Sequence, residues 1–162
     1  MSATVTGLFN TPAEAAGAVH TLEARGIPEH EISIMAGENF KKEAFAVDSH
    51  SKLPEGVAIG AGAGGAVVAL AAGLTTVATG GAGLLVAGPV VAALAGAGAG
   101  AATGGVIGGA IGAAVPEHEI KHYEDAVKQG SVLVGVHCED GDHKTVAKQT
   151  FKDCDAEKIS HA

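Results

Sequence analysis

The middle of this chain lacks charge altogether, because no Asp, Glu, Lys or Arg occurs between Glu55 and Glu117. The chain also lacks tryptophan, and aromatic residues make up only 3% of it, so no platform for stacking bases is evident. Its formal net charge is −8 and it has no cluster of Lys or Arg, which argues against nucleic acid as a partner. These absences favour a protein that packs apolar surfaces over one that recognises charged ligands.

Cysteine is scarce, and a secretory leader is not apparent. Cys138 and Cys154 are too few for a disulfide framework and lack metal-ligand spacing, so we expect reduced thiols in a cytoplasmic setting. A bridge or a reactive thiol is the alternative. The amino terminus, MSATVTGLFN, has neither the basic segment nor the apolar core of a signal peptide. No polybasic cluster flanks the uncharged stretch, so strong attraction to anionic lipid is not expected.

The first flank, 1–56, predicts a strand, a helix and a second strand. Residues 4–9 are β-branched and aromatic, which is typical of a strand. Thr11, Pro12 and Glu14 form the start signal of a helix with a capping box, and Gly26 fits its end. Residues 31–36 predict another strand, and 37–56 predict a polar linker.

The second flank, 116–162, predicts a helix, a strand and a further helix. Pro116 suits the start of the first helix and Gly130 suits its end. Residues 131–138 alternate in hydrophobicity as a half-buried strand does. A short helix is expected over 142–153, and an edge strand over 157–160. Together the flanks predict an α+β fold, a small antiparallel ferredoxin-like sheet backed by helices, although the second half opens with a helix where that class has a strand.

The uncharged stretch, 57–115, is predicted to be a helical hairpin inserted between the two halves. Val57–Thr79 is long enough to cross a bilayer once, Gly80, Gly81 and Gly83 form a turn, and Leu84–Val115 returns. Such a hairpin would leave both flanks on one side of the membrane. The lysines of the flanks weakly favour the cytoplasmic side. We therefore expect the inner membrane of a cell with both termini in the cytoplasm, or else a cytoplasmic location.

Small residues recur every fourth position in both arms of this stretch. Glycines four apart leave a groove along a helix in which another backbone can approach closely. Because each glycine costs about 1 kcal/mol relative to alanine in an isolated helix, we expect the groove to be packed, in part by a second copy of the chain. The helix-packing residues are predicted to be Gly60, Gly64, Gly65, Gly73, Gly88, Gly96, Gly100, Gly104, Gly108 and Gly112.

Two other interpretations of this stretch stay open. Glycine and alanine helices also pack into soluble bundles or fibres, and 17 glycines dilute the hydropathy of these 59 residues. A phosphate-binding loop at 60–65 is disfavoured, because it follows a polar linker instead of a strand and no acidic residue follows within fifty residues.

The candidates for chemistry are few. His118 and His122 share one face of the predicted helix, and Glu119 and His122 have a spacing found in di-metal bundles. A metal site needs two further ligands, which the sequence does not supply, so we expect solvated histidines. His137 and Cys138 are neighbours on a strand and point to opposite faces. We predict no catalytic residues, no cofactor and no small-molecule substrate.

The motifs of both flanks together resemble a known family. The segments VTGLFNTPAEAAGAVHTLEARGI, HEISIMA and VPEHEIKHYEDAVKQGSVLVGVH, with the glycine-rich stretch between them, are similar to bacterial general-stress proteins of the heat-induced YflT type and to related small membrane proteins. The resemblance covers about 4–40 and 57–138. It implies induction under stress and membrane association, and it brings no catalytic residues. A more distant resemblance is to the small membrane subunit of alternative complex III, whose helices are bulkier and more apolar.

The sequence therefore predicts three parts: 1–56 and 116–162 as the halves of one head, and 57–115 as a glycine-zipper hairpin. The predicted function is non-enzymatic. We expect a stress-related, membrane-associated protein that forms a homo-oligomer through the hairpin and contacts the lipid bilayer. The alternatives are an accessory subunit of a larger membrane complex and a soluble shell or filament protein.

Overall fold

Six strands form one antiparallel sheet with helices on both faces. The computed structural model describes residues 3–40, 73–79, 82–88 and 117–161. In chain order the elements are β1 (Ala3–Phe9), α1 (Pro12–Ala24), a 3-10 turn (Glu29–Glu31), β2 (Ile32–Gly37), β3 (Thr75–Thr79), β4 (Ala82–Ala87), α2 (Glu117–Lys128), β5 (Val132–Cys138), α3 (Gly141–Asp153) and β6 (Lys158–His161). The strand order is β3-β4-β2-β5-β1-β6, and each pair of neighbours is antiparallel. The α+β class predicted from the sequence is confirmed.

Local signals fix the helix starts. Thr11 caps α1 by accepting a hydrogen bond from the Glu14 amide at 3.2 Å, and Asp140 caps α3 by accepting one from the His143 amide at 2.8 Å. The expected capping box is altered, because the Glu14 carboxylate accepts from the amide of Asn10, at 3.2 Å, and not from that of Thr11. Caps of this kind contribute about 1 kcal/mol each.

The two faces of the sheet carry separate apolar layers. On one face α1 and α3 pack over β1 and β5, where Phe9 meets Phe151 edge to face with ring centroids 5.8 Å apart. Arg25 joins these two helices, since its guanidinium bonds Asp153 at 2.6 Å and Thr150 at 3.1 Å. On the other face α2 buries Tyr123 and Val127, and the Tyr123 hydroxyl lies 2.7 Å from Ser160 of β6. The head is therefore a three-layer arrangement with the sheet in the middle.

Strands β3 and β4 correct the prediction for the uncharged stretch. The single helical hairpin expected over 57–115 is wrong for Thr75–Thr79 and Ala82–Ala87, which are strands. β4 pairs with β2, with Ile34 opposite Ala87. The predicted turn at Gly80–Gly83 overlaps β4, because Ala82 and Gly83 are its first two residues. The rest of 57–115 lies outside the described residues.

Candidate functional site

The end of the sheet formed by β3, β4 and β2 is free of ionisable residues. The three strands have the sequences TTVAT, AGLLVA and ISIMAG. β3 and β4 pair from Thr75 opposite Val86 to Thr79 opposite Ala82, so two residues, 80 and 81, connect them. Leu85, Val86 and Ala87 are buried. This uncharged end of the sheet is where the middle of the glycine-rich stretch meets the head.

Two of the ten predicted packing glycines fall within the described residues. Gly73 is exposed in the turn that precedes β3. Gly88 follows β4 with φ of +89°, and a Cβ added there would lie 2.2 Å from the carbonyl oxygen of Ile32 and 2.8 Å from the Cα of Ser33. Gly88 therefore packs against β2 of its own sheet, which differs from the helix-packing role predicted for it. The other eight lie outside the described residues: Gly60, Gly64, Gly65, Gly96, Gly100, Gly104, Gly108 and Gly112.

The weak metal candidates all lie on α2. His118 and Glu119 belong to its first turn, and their side chains are outside the described part of the structure. His122 is exposed and meets the Tyr123 ring edge to face, with centroids 6.2 Å apart. Within 3–40, 73–79, 82–88 and 117–161, no group of three His, Cys, Asp or Glu residues could hold a metal ion.

The structure brings together a polar pair that the sequence did not indicate. Glu31, in the 3-10 turn before β2, is only 4% exposed. Its carboxylate Oε2 lies 2.8 Å from Nδ1 of His143 in the first turn of α3, and the His143 side chain is 27% exposed. The hydrogen bond to Glu31 raises the pKa of His143 above its ordinary value. The pair therefore gains ionic character as the imidazole takes up a proton, and it ties the 3-10 turn to α3.

Cys138 lies near this pair, yet its thiol is not activated. Burial raises the pKa of Cys138 to about 11, and the charges of Glu31 and Asp140 add to the shift. The thiol is fully buried and contacts the carbonyl oxygen of Val136 at 3.7 Å. A thiol must be a thiolate to act as a nucleophile, so this arrangement of Cys, His and Glu supports packing and not nucleophilic catalysis. His137 is exposed on the other face of β5, as the alternation predicted.

A pocket of about 240 Å³ opens where the end of α2 meets the start of α1. Its lining includes Pro12, Phe40 and Val127, with Lys128 as its ionisable residue. One ammonium group beside apolar side chains supplies no acid and base pair. The pocket therefore offers no catalytic arrangement.

No helix in the described ranges combines the length and the apolar character that a membrane crossing requires. Comparisons with protein-family models, with curated proteins and with solved structures found no match. The likeness to general-stress proteins of the YflT type accordingly stays a prediction from the sequence.

Proposed function

We propose that this protein is a non-enzymatic, stress-related assembly protein that self-associates through its uncharged stretch at the inner face of a cell membrane. The observation that carries the proposal is the run of 59 residues, 57–115, which has no charge and repeats glycine every fourth position from Gly96 to Gly112. A glycine-rich helix is unfavourable on its own in water, and close packing against another backbone offsets that cost. The stress-related role depends on the resemblance to the YflT-type family alone.

We further propose that the head is ferredoxin-like. The order β2-β5-β1-β6 within the sheet supports this, because that class places its first and third strands at the centre and its second and fourth strands outside them. The β3–β4 hairpin is then an addition beyond β2, and α2 occupies a position between the halves. A fold of this class hosts many functions, so the fold itself assigns none.

The pairing of β4 with β2 bears on where assembly takes place. The chain leaves the sheet after β2, returns to it at β3, leaves again after β4 and returns at α2. A segment that begins and ends at one head crosses a bilayer an even number of times. Two helical crossings need about 40 residues, whereas 28 residues separate Gly88 from Glu117. This favours attachment from one side of the membrane over a two-pass hairpin.

The same observation favours a second candidate, a soluble shell or filament protein. In that case the glycine-rich segments of several copies pack against one another without lipid. Membrane fractionation separates the two candidates, because lipid-attached protein sediments with membranes and resists a salt wash. An accessory subunit of a membrane complex would instead purify with a foreign protein in fixed proportion.

The test of self-association compares two positions that lie two residues apart in the chain. Gly104 belongs to the four-residue glycine series, whereas the four-residue series through Ala102 includes the bulky residues Leu94 and Val106. We expect Gly104→Leu to lower the mass of the assembly toward that of a single chain, 15.8 kDa, because a leucine side chain keeps two backbones apart. Ala102→Leu adds the same side chain nearby and is expected to leave the assembly largely intact.

Light scattering on the full-length protein, with and without detergent, measures the result. If Gly104→Leu assembles as the wild type does, the four-residue glycine series does not carry the association. If both variants fall apart equally, bulk alone decides the outcome and the register of the series has no role.

A further inference from the structure

The two edges of the sheet differ in how they are protected. The β6 edge is four residues long and carries Lys158, and a charge of this kind discourages pairing with another chain. The β3 edge is five residues long and has no charge and no proline. Within the described residues no strand is hydrogen-bonded to the outer side of β3. Its backbone donors and acceptors are therefore suited to adding a strand.

We propose that the outer edge of β3 pairs antiparallel with β3 of a second copy of this chain, joining two six-stranded sheets into one. The proposal deepens the self-association described above, since it names a surface on the head through which copies meet. A two-fold axis would pass beside Val77.

The sequence of β3 favours a second copy as the occupant. TTVAT reads nearly the same in both directions from Val77, so antiparallel pairing sets Thr75 opposite Thr79 and Thr76 opposite Ala78. A two-fold interface has this self-complementary form. Threonine pairs and β-branched residues are also favourable cross-strand neighbours.

Charge favours the same occupant. The chain has a net charge of −8, and most surfaces of two copies would repel each other. The strands β3, β4 and β2 contain no ionisable residue. Pairing at this edge therefore sets no like charges opposite one another.

The register of the hairpin identifies which backbone amide and carbonyl groups of β3 point away from β4. In an antiparallel ladder, hydrogen-bonded and non-hydrogen-bonded pairs alternate, and the pair that closes a two-residue hairpin loop, here Thr79 and Ala82, is hydrogen-bonded. Val77 then bonds toward β4, and Thr76 and Ala78 present their amide and carbonyl groups outward. Across the two-fold axis the two Val77 residues form a non-hydrogen-bonded pair, with Cα atoms about 4.5 Å apart.

Disulfide cross-linking of the full chain tests this register. Val77→Cys, made together with Cys154→Ala, places one cysteine on each side of the two-fold axis. Their Cα atoms would then lie within the separation of roughly 4.4–6.8 Å that a disulfide allows. Thr75→Cys is the matched control, because four residues of strand separate the two copies of Thr75, about 13 Å. We expect mild oxidation to cross-link Val77→Cys at least about tenfold more than Thr75→Cys. A mixture of Thr75→Cys and Thr79→Cys chains should cross-link as Val77→Cys does.

A monomeric Val77→Cys chain after oxidation, or equal cross-linking of Thr75→Cys alone, would overturn the proposal. The edge can fail while self-association through the glycine series stands, because the mass of the wild type then still exceeds one chain and still falls in Gly104→Leu. Thr76→Lys provides a second measurement if Val77→Cys does not fold. Because the β3 edge is separate from the glycine series, the Gly104→Leu protein should still form pairs; Thr76→Lys, which adds a charge to the edge strand of each copy, is expected to halve its mass, and Thr76→Val is expected to leave it unchanged. A Gly104→Leu protein that is already a single chain, or equal masses for Thr76→Lys and Thr76→Val in that background, would contradict the pairing.

Discussion

At the scale of single residues, the contact between Glu31 and His143 is the most informative one in the head. A carboxylate that is 4% exposed is costly unless a partner compensates for the lost hydration. His143 is that partner, at 2.8 Å. The residues are 112 positions apart in the chain, and no local motif joins them. Sequence patterns therefore could not predict the pair, whereas the cap at Thr11 was predictable because its residues are neighbours.

The pair predicts a definite pH dependence of stability. The pKa of His143 is raised above its ordinary value of 6.5, chiefly by the hydrogen bond to Glu31. A group whose pKa is higher in the folded state than in the unfolded state stabilises the fold. The stabilisation is complete at pH values below the unfolded-state pKa, and it is lost as the pH rises through the folded-state pKa. We expect the melting temperature of the wild type to exceed that of His143→Gln most at pH 6 or below, and the difference to shrink as the pH is raised above 6.5.

Thermal unfolding followed by circular dichroism between pH 5.5 and 9 measures this difference. Glu31→Gln is the matched variant, because it removes the acceptor charge and keeps the shape. In the Glu31→Gln background, the change in melting temperature caused by His143→Gln should no longer depend on pH. A wild-type difference that stays constant across the range would show that the pair does not titrate as described.

At the scale of the elements, the described helices and strands of the two flanks follow their local signals. The two described strands of the uncharged stretch, β3 and β4, do not follow its period of four. Length without charge favoured a helix over 57–79. The local signals favoured a hairpin, since Thr75, Thr76 and Val77 are β-branched and two glycines follow Thr79. Pairing with β2 decides between the two, and that contact is not visible in the sequence. The sequence could thus predict the flanks but not the strands added to their sheet.

A substitution at Gly88 tests whether the end of β4 packs closely against β2. A Cβ at this position would lie 2.2 Å from the carbonyl oxygen of Ile32, and φ is +89°. We expect Gly88→Ala to reduce the free energy of unfolding by about 1–3 kcal/mol. Gly17→Ala is the control, because Gly17 is exposed on α1 with no atom within 4 Å of an added Cβ, and it should gain roughly 0.5–1 kcal/mol.

Urea unfolding of the three proteins measures both changes. Equal stability of Gly88→Ala and the wild type would mean that the chain leaves β4 by another path. A loss in Gly17→Ala would contradict the placement of that residue on an open helix surface.

At the scale of the whole molecule, charge and glycine are segregated. The segments 1–56 and 116–162 carry every Asp, Glu, Lys and Arg, each with a net charge of −4, and the segment between them carries none. Repulsion between like net charges disfavours non-specific contact between heads. The uncharged segment, which includes the β3 edge, is the part of the chain on which copies can meet without repulsion between charges. Self-association is therefore the property that the distribution of residues supports most directly.

Native mass spectrometry of the wild-type protein at micromolar concentration, released from lipid or mild detergent where needed, tests this claim most directly. The account predicts peaks at whole-number multiples of 15.8 kDa, without a foreign subunit. A single species at the mass of one chain across the concentration range would contradict it.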